Sequence, residues 1–208
     1  MVTHQTYKKE NNEWVEPINV QEKDGVYIDK DGNKIIAGKI EKMSKSKKNV
    51  VDPNDIISLY GADTARWFML SDSPPDRDLQ WTETGIVASN KFINKLWDLV
   101  FKFENYNNQN NLDENENIKI EKLKLIINDV ALNIEAFQFN KSVAKIYEYV
   151  NVINDCITKN IISKDNLLKY LKKLALITQP FIPHISEELW KKLGGNNFCL
   201  TQKWPDEE

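Results

Sequence analysis

The residues best suited to chemistry lie between Lys39 and Lys48. This segment contains five lysines, two serines and only one acidic residue, Glu41. The segment has neither a helical nor a strand period, which predicts a mobile loop. It ends at Asp52-Pro53, a pair typical of the N-cap and first residue of a helix. Lysines and hydroxyls ahead of a helix N-terminus are suited to binding phosphate oxygens. A solvated basic loop without a ligand is the simpler alternative.

The elements that must position this loop lie on both sides of it. Upstream, β-prone runs flank a turn rich in Asp and Gly, which predicts a small hairpin with strands at 14–18, 25–28 and 34–36 and a turn at 29–33. Downstream, a helix is predicted over 52–60, stopping at Gly61, and a second helix over 62–70. Two prolines then indicate a linker at 71–80 and a domain boundary.

The remainder of the chain is predicted to be helical. Apolar residues recur with a helical period in five segments, at 82–105, 118–137, 139–158, 163–177 and 184–193. Long helices joined by short breaks predict an antiparallel bundle of four or five helices. The asparagine-rich, acidic stretch 105–117 has no apolar period and is expected to be a solvated loop.

Charge and cysteine content limit the possible partners. The 208 residues carry a formal net charge of −3, so any nucleic-acid binding must come from local patches. Cys156 and Cys199 lie far apart and outside any Cys-x-x-Cys pair, which argues against a disulfide framework and a zinc site, and we predict no metal site. Residues 1–12 do not resemble a signal peptide, and no apolar run is long enough to cross a membrane. We therefore expect a cytoplasmic protein without a membrane partner.

The order of residues in the lysine-rich segment carries a family resemblance. Lys42 to Ser46 reads Lys-Met-Ser-Lys-Ser and resembles the KMSKS signature of class I aminoacyl-tRNA synthetases. The chain resembles the leucine-specific members over essentially its whole length, most clearly at 47–53, at 60–66, and at 73–75 together with 78–81. The isoleucine and valine enzymes share the signature and the Gly-Ala-Asp segment, but they usually have Leu-Gly-Asn after the signature and lack the Ser-Pro-Pro and Leu-x-Trp pattern.

This resemblance implies a fold class that is mainly α: a helical bundle preceded by the tail of an α/β class I catalytic domain with a small β-hairpin insertion. Residues 1–80 would be the C-terminal part of the catalytic domain, with a leucine-specific-type insertion at about 10–38 and the KMSKS loop at 39–51. Residues 81–208 would be the helical anticodon-binding domain. We expect this domain to contact the tRNA stem by shape and phosphates and not by base readout.

The resemblance also implies an activity, which is ATP-dependent activation of leucine and its transfer to tRNA(Leu), with ATP bound as its Mg²⁺ complex. Lys45 is expected to be the main ATP contact and Lys42 to assist it. Ser44 and Ser46 would shape the loop or donate hydrogen bonds to ATP, and Met43 would anchor the loop by packing. The other catalytic parts are absent from the sequence, so we expect the chain to be inactive alone. We also expect a monomer.

Other residues and functions have competing interpretations. Asp63 and Arg66 are spaced for an ion pair on one helix face, and His4 and His184 are expected to be structural. Exposed bundle lysines are candidate tRNA contacts, although a solvated helix face explains them as well: Lys141, Lys145, Lys172 and Lys173. A helical RNA-binding module without chemistry is one alternative function, which the signature loop argues against. An isoleucine, valine or methionine ligase is another, and the residues after the signature argue against it.

Overall fold

A computed structural model describes residues 1–108 and 114–205, which form a sheet followed by helices. The strands are β1 (Val2–Lys9), β2 (Trp14–Val15), β3 (Val20–Lys23), β4 (Val26–Asp29), β5 (Lys34–Lys42) and β6 (Leu79–Gln80). Their spatial order is β2-β1-β5-β4-β3, with antiparallel pairing throughout, while β6 pairs in parallel with β1. The predicted insertion is thus continuous with the N-terminal strand through a shared sheet.

The hairpin predicted around residues 29–33 is confirmed. β4 and β5 pair with Tyr27 opposite Ile35. The carboxylate of Asp29 holds the turn, because it accepts hydrogen bonds from the side chain and the backbone N–H of Asn33 at 3.0 and 2.8 Å. These bonds favour the charged carboxylate, and the Asn33 side chain is the main reason that the pKa of Asp29 is lowered.

Two helices follow the loop as predicted, α1 (Pro53–Tyr60) and α2 (Ala62–Ser71). Asp52 caps α1, since its carboxylate accepts a hydrogen bond from the backbone N–H of Asn54 at 2.8 Å. Gly61 separates the helices with φ at 85° and ψ at 156°, a conformation that is essentially restricted to glycine. This glycine sets the direction in which α2 leaves α1.

Five helices form the bundle and confirm the mainly α fold: α3 (Glu83–Glu104), α4 (Glu114–Glu135), α5 (Phe139–Thr158), α6 (Lys164–Thr178) and α7 (Pro183–Lys192). Thr82 and Ser163 cap α3 and α6 by accepting a hydrogen bond from the backbone N–H three residues further on. Each helix contributes buried side chains to a common core, which includes Leu96, Leu123, Ile146, Tyr170 and Leu189. Their burial is the main stabilising contribution to the bundle.

The predicted solvated loop at 105–117 is wrong where the structure describes it. Tyr106 is buried, and α4 begins inside the predicted loop. Glu116 is buried as well and accepts hydrogen bonds from the backbone N–H and the hydroxyl of Ser163, at 2.8 and 2.9 Å. Its negative charge therefore lies at the N-terminus of α6, where the helix dipole favours it. Residues 109–113 lie outside the described residues.

Helix α2 joins two apolar cores. Trp67 belongs to the bundle core, where its ring stacks on Phe92 with the ring centroids 4.6 Å apart. Phe68, the next residue, belongs to a smaller core at which β6, α1 and α3 meet, and its ring contacts that of Trp81 at 5.0 Å. Neighbouring side chains of one helix therefore bind the sheet to the bundle. The domain boundary near residue 80 stays a prediction.

Candidate functional site

The lysine-rich loop begins later than predicted. Residues 39–42 belong to β5 and pair with β1, so the loop predicted at 39–51 is wrong over its first part. Residues 39–42 show no alternation of apolar and polar residues, because this end of β5 is largely exposed on both faces. Beyond the strand, the chain makes a 3₁₀ turn over Lys45–Lys47, and Lys48 adopts a left-handed conformation with φ at 52°.

The base of the loop is closed by Asn49, a residue to which the sequence analysis assigned no role. Its side chain is fully buried, although it is polar. Oδ1 accepts a hydrogen bond from the backbone N–H of Ser44 at 2.8 Å. Nδ2 lies 3.3 Å, 3.3 Å and 3.4 Å from the backbone carbonyl oxygens of His4, Glu41 and Lys42. One amide thus joins β1, the end of β5 and the loop, and fixes where the loop starts.

His4 contacts the same asparagine from β1. Its Nδ1–H donates a hydrogen bond to the backbone carbonyl oxygen of Asn49 at 3.2 Å. Burial lowers the pKa of His4, and the hydrogen bond to Asn49 opposes that shift. The imidazole is therefore neutral at pH 7 and has a structural role, as predicted.

Three of the four predicted ATP contacts, Ser44, Lys45 and Ser46, lie in the loop, and Lys42 is the last residue of β5, directly before it. Lys42, Lys45 and Ser46 are exposed, while Ser44 is half-buried. The hydroxyls of Ser44 and Ser46 share a hydrogen bond with the oxygens 2.7 Å apart. Within residues 1–108 and 114–205, neither Lys42 nor Lys45 forms a side-chain hydrogen bond or ion pair. Two free ammonium groups and two hydroxyls are suited to binding phosphate oxygens.

The other two lysines of the loop have acidic partners. Lys47 pairs with Glu41 at the end of β5. Lys48 lies 4.0 Å from Glu13, in the turn between β1 and β2. Exposed pairs of this kind contribute about 0–1 kcal/mol each. Their main consequence is that the positive charge available to a ligand is concentrated on Lys42 and Lys45.

Met43 packs against the smaller apolar core, together with Val51 from the other end of the loop. The buried residues of that core include Phe68 and Trp81. The flexible thioether of Met43 fills the irregular surface of this core. Both ends of the loop are thus held by packing, in agreement with the anchoring role expected for Met43.

The predicted ion pair between Asp63 and Arg66 is wrong. The Asp63 carboxylate accepts hydrogen bonds from the backbone N–H of Ile185 at 2.7 Å and from Nδ1–H of His184 at 2.8 Å. Arg66 donates to the two carbonyl oxygens of Pro180–Phe181, at 3.0 and 2.8 Å. The backbone N–H and C=O groups at the break between α6 and α7 lack partners within a helix. Leaving them without hydrogen bonds would cost more free energy than an ion pair between Asp63 and Arg66 would contribute. Both side chains therefore fasten α2 to the bundle.

Three of the four bundle lysines considered as tRNA contacts are engaged within the protein. Lys145 forms an ion pair with Asp129 at 2.8 Å. Lys172 donates to a backbone carbonyl oxygen at 3.2 Å, and Lys173 is buried. Lys141 is exposed and has no side-chain partner in the part of the chain that the structure describes. Of the four, it is the cation most available to an external phosphate.

The two cysteines are buried free thiols. Burial raises the pKa of Cys156 to about 11 and that of Cys199 to about 12, so both thiols stay protonated at pH 7. The described residues contain no group of three or more His, Cys, Asp or Glu side chains that could hold a metal ion. None of their helices is long and apolar enough to span a bilayer.

Two family descriptions match the chain. Residues 28–82, which contain the loop with α1 and α2, match tRNA synthetases class I (I, L, M and V). Residues 116–208, which contain most of the bundle, match the anticodon-binding domain of tRNA ligase. Residues 83–115, which include α3, lie between the two matches and belong to neither.

Curated relatives are named leucine–tRNA ligase. The chain is 41% identical over 206 residues to the protein of Rhizorhabdus wittichii, and 40% identical over 212 residues to that of Rickettsia bellii. These alignments cover 99% of this chain and 23% and 24% of the relatives. The chain therefore spans about a quarter of the length of the curated relatives it matches.

Solved structures share the fold. A LeuRS from Agrobacterium radiobacter K84 (agnB2), in a ternary complex with tRNA and LeuAMS, is 28% identical with a TM-score of 0.71, over 81% of this chain and 22% of that one. The apo form of Mycobacterium tuberculosis methionyl-tRNA synthetase is 16% identical with a TM-score of 0.63, over 70% of this chain and 35% of that one. The second likeness concerns the fold alone.

Proposed function

Since this chain belongs to the leucine–tRNA ligase family of class I tRNA synthetases, we propose that it forms the part of a leucine–tRNA ligase that carries the ATP-contacting loop and a tRNA-binding bundle. The complete enzyme would activate leucine with ATP and transfer it to tRNA(Leu). The observation that carries this proposal is the geometry around the loop: Lys42 and Lys45 have no side-chain partner among the described residues, and Asn49 fixes the base of the loop between them and β1. Residues 81–208 are proposed as the tRNA-binding domain.

The proposed role of the loop follows from the chemistry of activation. The leucine carboxylate attacks the α-phosphorus of ATP and pyrophosphate leaves, so negative charge grows on the leaving group. An ammonium group that meets this charge only in the transition state lowers the barrier without tightening ground-state binding. A well-placed donor of this kind contributes roughly 3 kcal/mol, or about a hundredfold in rate. We assign this role to Lys45, with Lys42 as the assisting cation.

The two serines and the magnesium ion have supporting roles in this proposal. The shared hydrogen bond of Ser44 and Ser46 stabilises the turn, and either hydroxyl can turn towards a phosphate oxygen. Mg²⁺ typically binds nucleotide phosphates and keeps several water ligands. We therefore expect it to arrive with ATP, bound to the phosphate oxygens.

The surface beside the loop supports the proposal that this chain acts as part of a larger enzyme. Ile57, Leu59 and Met69 are 48%, 72% and 41% exposed. Ile57 and Met69, together with Met43 of the loop, line an apolar groove of about 280 Å³. A contiguous exposed apolar surface next to a functional loop is typical of an interface. We propose that the upstream catalytic part of the same enzyme covers it, and that the isolated chain is inactive.

The cellular setting is part of the same proposal. A ligase that charges tRNA for protein synthesis is expected in the cytoplasm with its tRNA substrate. We propose a monomer, since the exposed apolar surface is assigned to the rest of the same polypeptide. Sedimentation of the complete enzyme at micromolar concentration is the corresponding measurement, and a dimer would contradict this assignment.

The decisive experiment is ATP–pyrophosphate exchange in a chimera in which this chain replaces the matching segment of the Rickettsia bellii ligase. We expect exchange that depends on leucine and not on isoleucine or valine. Lys45→Ala should lower the exchange rate by about a hundredfold, with little change in the KM for leucine. Lys39→Ala is the matched control, because it removes the same charge from an exposed position on β5.

The outcomes separate two functions. An exchange rate in Lys45→Ala equal to that of the Lys39→Ala control would contradict the role assigned to Lys45. A folded chimera that binds tRNA but supports no exchange would favour the alternative, a helical RNA-binding module without chemistry.

A further inference from the structure

A second candidate site lies away from the lysine loop, in a groove of about 470 Å³. One wall is the linker after α2, which includes Arg77, and the other is the turn between α4 and α5 with the first residues of α5. The groove thus lies where the sheet part of the chain meets the bundle. Its volume falls within the range of about 300–1,000 Å³ that is usual for small-ligand sites.

The turn presents an unusual aromatic side chain to this groove. Phe137 is 69% exposed and has a left-handed backbone with φ at 55°. Glycine is the usual residue at this position after a helix, because a Cβ atom is disfavoured there. Two backbone hydrogen bonds hold this conformation. The Phe137 N–H donates to the carbonyl oxygen of Ile134 at 3.0 Å, and the Gln138 N–H donates to that of Asn133 at 2.8 Å. The ring also meets that of Phe139 edge-on, with centroids 5.8 Å apart. An aromatic ring on a backbone fixed by hydrogen bonds is therefore offered to solvent.

The side chains that line the groove carry a net positive charge. Arg77 and Lys141 both line it, both are exposed, and neither has a side-chain partner in the ranges 1–108 and 114–205. Asp76 is the one acidic residue of its lining. One turn further along α5, Lys145 is neutralised by Asp129 and Glu148, so the groove differs from the neighbouring surface. The N-terminus of α5 also faces this turn, and its N-cap residue provides no side-chain hydrogen bond.

Asn140 supplies a polar group that lacks a partner. Its Oδ1 atom is buried, and no donor in the described residues reaches it. Buried amide oxygens without a partner are rare, and each calls for an explanation. Asn140 lines the groove. A ribose hydroxyl or a base N–H is a donor that could satisfy this oxygen after a small rotation of the side chain.

We propose that this groove binds one unpaired nucleotide of RNA, with the base against the ring of Phe137 and the phosphate between Arg77 and Lys141. The inference rests on the proposed function, since it names a contact that the bundle makes with its RNA. Aromatic rings combined with cations are the usual means of holding single-stranded nucleic acid, because every base has a π-face and every nucleotide has a phosphate. A peptide would not require two unpaired cations beside one exposed ring.

The test is the binding of fluorescein-labelled tRNA(Leu) transcript to the complete 208-residue chain, followed by fluorescence anisotropy. Phe137→Ala should weaken binding by about tenfold or more, which is the usual effect of losing one base stack. Phe198→Ala is the matched control, because Phe198 is 70% exposed and lies outside the groove. Its affinity should equal that of the wild type. Circular dichroism verifies that both variants are folded.

A salt titration tests the cations independently of the ring. Lys141→Ala should lower the slope of log affinity against log salt concentration by about 0.7, the value for one lost phosphate contact on a single strand. Lys169→Ala removes the same charge from an exposed position on α6 and should leave the slope unchanged. A blunt-ended, fully paired RNA duplex should show no difference between Phe137→Ala and wild type, whereas a single-stranded oligonucleotide should.

Each result has a defined meaning. Wild-type binding with equal affinities for Phe137→Ala and Phe198→Ala, or equal salt slopes for the two lysine variants, overturns the groove and leaves the ligase assignment intact. Absence of RNA binding by the wild-type chain also overturns the groove, and the exchange assay on the chimera then decides the ligase assignment by itself.

Discussion

Replacing Asn49 by alanine removes the side chain that closes the base of the lysine loop. Its Oδ1 accepts one hydrogen bond, from Ser44 at 2.8 Å, and its two amide hydrogens can serve two of the three carbonyl oxygens around it. Three hydrogen bonds of this buried amide, at about 1 kcal/mol each, predict a loss of about 3 kcal/mol in the free energy of unfolding. This total already includes the bond from the Ser44 N–H, which would be left without its partner.

Guanidinium unfolding of the 208-residue chain, followed by circular dichroism, measures this loss. Asn151→Ala is the matched control, because this exposed asparagine accepts one hydrogen bond, from Lys95 at 2.8 Å. We expect that substitution to change stability by at most about 0.5 kcal/mol. Asn49→Asp keeps the acceptor for Ser44 but places a carboxylate among carbonyl oxygens, so it should be no more stable than Asn49→Ala. A cost for Asn49→Ala no larger than that of the control would refute the view that this amide holds the loop.

Three further predictions concern the supports of the site. Asp63→Ala should cost about 2–3 kcal/mol, because a carboxylate that accepts from Ile185 and His184 is lost; an unchanged thermal midpoint would contradict this. Gly61→Ala should cost about 1–3 kcal/mol, since φ there is 85°, and a neutral effect in the same assay would show that the turn relaxes. Lys119, with Lys159, lowers the pKa of Asp155 from 3.8 to about 2. The charged Asp155 carboxylate therefore stabilises the folded protein fully above pH 3.8, and this contribution is lost as the pH falls towards 2. Acid unfolding of Asp155→Asn and wild type should therefore converge near pH 2, and a constant difference would contradict it.

Local signals in the sequence predicted the elements whose ends are fixed by neighbouring residues. Asp52 and Pro53 predicted the start of α1, and Ser163 predicted that of α6, because a cap needs only the chain within one turn of it. The turn at 29–33 was predicted for the same reason, since Asp29 bonds to residues next to it. The four proposed ATP contacts came from the family resemblance, and their role in binding ATP stays a prediction.

The contacts that sequence reasoning missed connect residues far apart in the chain. Asn49 is buried because His4, 45 residues upstream, lies across from it. Asp63 has Arg66 within reach along its own helix, yet it binds the start of α7, 122 residues further on, where backbone groups lack partners. An asparagine in a polar loop and a charged pair on a helix have many possible partners, and only the tertiary fold selects among them.

The sheet allows changes in chain length at one end of the hairpin and restricts them at the other. The turn at 29–33 is largely exposed, so additional residues there would extend the tip without disturbing the rest. In β5, one inserted residue between Ile35 and Lys42 would reverse the faces of all side chains beyond it. It would also move the start of the lysine loop by one position relative to His4 and the rest of β1. The number of residues in β5 therefore sets the position of the lysines that follow it. Natural or engineered insertions should be confined to the turn at 29–33.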